Sequence, residues 1–227
     1  MKILLKLISG LAILATTAVA QAEVSGQLGM TSSHIRRGSE IGTDLTYFGG
    51  ITYSAGGFSA SASVLDTKGQ SNDNDATLWN GDFSETQYEL SYGFEVGAVN
   101  LTVGALDRTN VLCSCMGDMP FDIDEREYSL TAELSGVELS YVDGETNIFY
   151  DYDVTTLASN VGNTRVLVGK MTYDIWYWSM DYMFYEISSG TQLFGLDANL
   201  MYTGVFNSDS FEPRSKLVLT LSKSLSL

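Results

Sequence analysis

Apolar and polar residues alternate with a period of two along much of the chain. Tyr88, Leu90, Tyr92, Phe94 and Val96 share one side of a segment whose other side carries Gln87, Glu89, Ser91, Gly93 and Glu95. Val99, Leu101, Val103 and Ala105 stand opposite Asn100, Thr102 and Gly104. Tyr128, Leu130, Ala132 and Leu134 stand opposite Glu127, Ser129, Thr131 and Glu133. Val137, Leu139 and Tyr141 alternate with Glu138 and Ser140, and Phe58, Ala60, Ala62 and Val64 with Ser59, Ser61 and Ser63. A strand sends successive side chains to opposite faces, so the pattern predicts a sheet with one apolar and one polar face. Trp176, Trp178, Met180, Tyr182 and Phe184 extend the apolar face, with Ser179 and Asp181 on the polar one.

The pattern predicts twelve strands, at 24–36, 44–54, 58–66, 85–96, 99–107, 127–135, 137–147, 164–173, 176–187, 191–201, 204–209 and 214–227. Tight connections are expected near Ala55-Gly57, Gly97-Ala98, Gly136, Asp174-Ile175 and Thr203, and long ones at 67–84, 108–126 and 148–163. Asn147–Val154 is open to a second reading as a strand, which would reassign the pairing downstream. An even strand number, with short turns at one end and long polar loops at the other, is the layout of an outer-membrane β-barrel. Both termini would then be periplasmic. No internal repeat, linker or low-complexity tract divides the chain.

A soluble sandwich or lipocalin-type barrel also alternates, with its apolar face inward. Three features favour the membrane barrel. The apolar face is rich in Tyr and Trp, as interfacial girdles require. The polar face is small and carboxylate-bearing, which suits a wet lumen. Leu217, Leu219, Leu221, Leu225 and Leu227 share one parity, so the last strand faces lipid. Composition agrees: Gly 22, Tyr 13 and Phe 10 against Pro 2 fit an all-β chain of 227 residues. The net charge of −16 excludes nucleic acid as a partner, because phosphate is bound by basic clusters. A hydrophobic content of 44% excludes a disordered acidic chain. After the first 22 residues no apolar run approaches the ~18 residues of a membrane helix.

Residues 1–22 carry Lys2 and Lys6, an apolar stretch from Leu7 to Ala20, and Ala20-Gln21-Ala22 before Glu23. That order predicts a cleaved secretory signal peptide, leaving residues 23–227 as the barrel. Removing Lys2 and Lys6 from the 12 basic residues leaves 10 against 28 acidic ones, a net −18.

Two stretches carry a resemblance. Thr31-Ser32-Ser33-His34-Ile35-Arg36-Arg37-Gly38-Ser39 resembles the N-terminal segment T-S-D-Y-x-F-R-G-x-S of the TorF-type porin family. Arg214 to Ser224 resembles that family's last strand, which usually finishes S-K-T/S-F. His34 and Arg36 stand where the family carries tyrosine and phenylalanine. The resemblance covers the two ends and the strand-and-loop plan. It implies a proteobacterial outer-membrane barrel, with the barrel-assembly machinery, membrane lipid and lipopolysaccharide as partners and no catalytic residues.

Cys113 and Cys115 form C-x-C in the expected loop 108–126. In an oxidising compartment a disulfide is the first reading, although closing so short a loop gains little entropy. Free thiols and a soft-metal site are the alternatives, and two thiolates supply only half a tetrahedral zinc shell. His34 is the only histidine, so a hydrolase would have to use it; no G-x-S-x-G elbow is present. A rim histidine beside Arg36 and Arg37 is the simpler reading. The acidic residues Asp73, Asp75, Asp82, Asp118, Asp122, Asp124 and Glu125 fall in expected loops, as solvated charge or as divalent bridges to lipopolysaccharide phosphates.

The expected function is a narrow porin-like channel for small solutes, with no enzymatic activity, cofactor or metal. Glu89, Glu95, Glu127, Glu133, Glu138, Asp181 and Asp197 fall on the polar face, against Lys170 and Lys216. A narrow pore lined in this way should prefer cations. The alternative is a closed structural or surface-interaction barrel.

Overall fold

The computed structural model describes residues 22–42, 45–67, 83–112, 121–147, 150–175, 178–207 and 214–226. Its strands are β1 (Glu23–Thr31), β2 (His34–Arg36), β3 (Ser39–Gly42), β4 (Thr46–Ala55), β5 (Phe58–Thr67), β6 (Phe83–Val96) and β7 (Val99–Leu112). They continue as β8 (Phe121–Leu134), β9 (Val137–Thr146), β10 (Tyr150–Val161), β11 (Thr164–Ile175), β12 (Trp178–Leu193), β13 (Leu196–Phe206) and β14 (Arg214–Ser226). Twelve of them close into an antiparallel barrel in which β1 pairs both β4 and β14. The other two, β2 and β3, form a separate hairpin.

Every connection at one end is a tight turn: 56–57, 97–98, 135–136, 162–163 and 194–195. Ser135-Gly136 and Phe194-Gly195 have positive φ at both central residues, the type I′ geometry whose twist matches the flanking strands. Both chain ends of the barrel, at Glu23 and Ser226, lie at this same end.

The strand number agrees with the sequence, but the strands themselves differ. The segment 24–36 splits into β1 and β2, and 191–201 with 204–209 become the end of β12 and one strand, β13, through the expected turn at Thr203. The expected loop 148–163 is instead mostly strand β10, so the strand reading of Asn147–Val154 is the better one. The loop 108–126 shortens to 113–120, because β7 runs to Leu112 and β8 begins at Phe121. Inserting β10 reverses the direction of everything up to Thr203. The β11–β12 connection therefore falls at the loop end, opposite the tight turns.

The outward face is apolar. Leu28, Ile51, Val64, Tyr88, Leu90, Leu130, Leu139, Leu157 and Leu217 are each about half exposed. A water-soluble barrel would not display so continuous an apolar surface, and a lipid-embedded one must. The long strands β6, β7, β8 and β12 exceed the 9–11 residues that cross the hydrocarbon. At their loop ends the outward positions turn polar, with Asp66, Asp107, Asp122, Asp124, Asp143 and Asp151 exposed.

One wall inverts the expected facing. Tyr152, Val154, Ala158, Leu167, Met171, Tyr182, Phe184 and Val205 form a buried apolar cluster inside the barrel. Tyr182 and Phe184, expected to face lipid, are each 2% exposed. Their parity places Asp181 and Lys170 outward, where the two form an ion pair at 2.5 Å. Neither therefore lines the lumen. The cause is the hairpin, which supplies a surface inside the barrel for this apolar and aromatic wall to pack against. The side chains of Trp176 and Trp178 lie outside the described residues.

A charge network around an inward hairpin

The hairpin lies inside the barrel at its loop end. Its turn is Arg37-Gly38, with φ of 53° and 75°, and Arg36 pairs Ser39 across it. A Cβ on Gly38 would run into Phe184 and the Gly204 carbonyl, so both the turn and the close seat require glycine. The base of the hairpin is tied to the barrel seam. Ser32 N–H donates to the Leu219 carbonyl at 2.9 Å, Leu219 N–H donates to Ser32 Oγ at 3.1 Å, and Thr31 Oγ1 donates to the Ser33 carbonyl at 3.0 Å. Across the lumen Ile41 packs on Ile123, as Leu65 does from β5, and Glu40 pairs with Lys216.

Three glutamates from the barrel wall face the hairpin: Glu85 on β6, and Glu125 and Glu127 on β8. Arg36 Nη1 lies 2.7 Å from Glu125, and its Nη2 lies 3.5 Å from Glu85. Arg37 Nη2 lies 2.8 Å from Glu127, with its guanidinium carbon 4.9 Å from the Tyr152 ring centroid. Arg108 of β7 sits between, 2.8 Å from Glu125, 3.0 Å from Glu127 and 3.6 Å from Glu85. Tyr152 donates to Glu127 at 2.7 Å, and Asn110 Nδ2 to Glu125 at 3.0 Å. His34 Nε2 is 3.7 Å from Glu85, so the histidine lies within the lumen rather than at the rim.

Buried charges persist only when paired and hydrogen-bonded, and here the formal charges of Arg36, Arg37 and Arg108 balance those of Glu85, Glu125 and Glu127. Burial disfavours the Arg37 charge, but Glu127 and then Tyr152 favour it by more, so its pKa is raised. Arg37 belongs to no barrel strand. Tyr150, Tyr152, Tyr173 and Tyr182 form a run of ring contacts 5.3–6.3 Å apart along the same wall.

The other expected lumen residues scatter. Glu127 is inward but bound into this network. Glu89 lines a cavity of about 460 Å³ along β1, β4, β5 and β6, bordered by Ser25, Gln27, Thr52, Ser61 and Ser63. Glu95 and Glu133 share the inward parity nearer the tight turns. Glu138 pairs Arg165 at 2.8 Å, and Asp197 accepts from Gln192 and Ser224, each at 3.2 Å. Lys216 is inward, as expected, and is held by Glu40. Glu125, read as a loop acid, is a buried strand residue. Cys113, Cys115, Asp73, Asp75, Asp82 and Asp118 lie outside the described residues. Glu85, Arg108 and Tyr152 were missed by sequence reasoning. Glu85 continues the polar parity of Gln87 and Glu89, the one signal that could have found it.

Fold and site together define a lipid-facing twelve-stranded barrel, narrowed by its own hairpin. No family model matches the sequence, and no curated protein does. Among solved structures the chain is similar to OccK2 (OpdF) of Pseudomonas aeruginosa in complex with glucuronate, at TM-score 0.46 and 11% identity over 92% of this chain and 68% of that one. It is similar to the outer membrane protein OpdK of the same organism at 0.47 and 10%, over 92% and 68%. A BenF-like porin from Pseudomonas fluorescens Pf-5 gives 0.45 and 10%, over 92% and 65%. Such values carry nothing of ligand, selectivity or family to this chain.

Proposed function

We propose that this chain is an outer-membrane channel for small polar solutes, exported by residues 1–22 and related to the TorF-type porins. The observation that carries the reading is the pairing of an apolar outer face with a polar, small-residue lumen wall around the 460 Å³ cavity. A structural barrel filled only for stability has no use for such a space. The inward carboxylates Glu89, Glu95 and Glu133 support a preference for cations, because the network around the hairpin is charge-balanced and leaves them to set the local field. The role is transport, not catalysis.

One observation favours a second reading, the closed barrel: the hairpin reaches both Ile123 on β8 and Lys216 on β14, and so crosses the lumen. Planar-bilayer recordings of the purified chain separate the two. The channel reading expects small, cation-selective conductance steps. Absence of any conductance overturns it in favour of the closed barrel.

A further inference from the structure

We infer that Glu85, Glu125 and Glu127, with Tyr152, form a binding site for guanidinium-bearing cationic solutes, which Arg36 and Arg37 of the hairpin occupy as built-in stand-ins. The inference rests on the channel reading for how a solute arrives, but not for whether the site binds.

The two arginines sit as a ligand would. Arg36 bridges carboxylates on two strands, at 2.7 Å from Glu125 and 3.5 Å from Glu85. Arg37 combines a 2.8 Å ion pair to Glu127 with a ring face 4.9 Å away, and Tyr152 is itself oriented by donating to Glu127. Carboxylate on one side and aromatic face on the other is the chemistry that selects a planar, weakly hydrated guanidinium over a hydrated point charge. The barrel wall does not neutralise itself. Its own cation there, Arg108, faces three glutamates, so withdrawal of the hairpin arginines leaves an acidic, partly aromatic pocket.

A second observation comes from the hydrogen bonds. Among the described residues, Asn110 Oδ1 is buried without a hydrogen-bond partner, while Asn110 Nδ2 donates to Glu125 at 3.0 Å. Glu85 Oε2, on a side chain that is 0% exposed, is met by Arg36 Nη2 at 3.5 Å and by His34 Nε2 at 3.7 Å, both longer than an ordinary hydrogen bond. A donor-rich cation that entered would complete bonds the hairpin does not make. Exchange requires that the two side chains swing aside and that the hairpin turn loosen with them; the hairpin base at Ser32 and Leu219 can stay in place. The occupant competes by mass action, so weakening it raises the apparent affinity for an added ligand.

The test uses the full chain in detergent micelles, with agmatine as the probe and calorimetry as the readout. R36Q/R37Q should bind agmatine at least tenfold more tightly than the wild type. Adding E125Q/E127Q to that variant should abolish the gain. N-carbamoylputrescine, which keeps the amine but lacks the guanidinium charge, should bind at least tenfold more weakly. A folded R36Q/R37Q protein that binds neither probe, or both alike, overturns the site. The wild type gives an independent arm: amides of 34–42 should exchange hydrogen faster in saturating agmatine, and unchanged exchange overturns the inference even where the variant does not fold. Binding without bilayer conductance keeps the site and removes the channel reading. Conductance without binding removes the site alone.

Discussion

Gly169 shows how one residue sets the inner wall. It pairs directly with Phe184 across β11 and β12, and the Phe184 ring lies over the space a side chain would need. Phe184 in turn seats the hairpin turn at Gly38. G169V should therefore destabilise the protein by about 1–3 kcal/mol, the usual cost of overpacking, read as a lower urea midpoint in liposomes. V168A, one position away and outward, should cost less. The same contrast of faces applies to charge. Leu130 is 50% exposed on the lipid side, while Ser129 points inward. L130R should cost about 2–4 kcal/mol on insertion near the bilayer midplane, and S129R far less. Equal refolding yields for the two would contradict the facing of β8.

At the scale of elements, β10 changes the topology most. Its loop-end half reads Tyr150, Asp151, Tyr152, Asp153, Val154, with the apolar side inward and the acids outward. That is the reverse of the rule farther down the barrel, where Leu157 is 55% exposed. A strand that crosses from the loop end into lipid changes the polarity of its outer face on the way, and the alternation loses its phase. Intact cells treated with protease should be cut within 68–82 and 113–120, which join strands at the loop end. Tyr150–Val161 should resist, because each of its residues from Asp151 to Ser159 pairs on both sides. Mapping the fragments by mass spectrometry checks this, and efficient cleavage inside 150–161 would return that segment to a loop.

For the whole molecule, the question is which carboxylates an ion passing through would meet. Glu89 borders the cavity and Glu133 shares the inward face, whereas Asp181 stands outside, paired with Lys170. In a KCl gradient the reversal potential should show a cation preference, and E89Q/E133Q should reduce it. D181N should leave it unchanged, since a charge beyond the barrel wall is screened within roughly 10 Å at 0.1 M salt. An effect of D181N equal to that of E89Q would put Asp181 in the lumen after all. Anion selectivity would remove the proposed role of the lumen acids.

The period-two pattern and the glycine turns are local properties. Through them the sequence by itself determined an antiparallel sheet, its even closure into twelve strands, and the facing of β5 to β9. Lys216, Glu89, Glu127 and Glu133 were legible as inward residues for the same reason. Alternation separates two faces without saying which one is inside, and that choice belongs to whatever fills the lumen. Where the wall is free, the apolar side goes to lipid; where the hairpin packs, Tyr182 and Phe184 turn inward and carry Asp181 and Lys170 out. The contact of Arg36 with Glu125 joins positions 89 apart in the chain. No local signal encodes it, because it exists only once the barrel has closed and its first hairpin has folded inside.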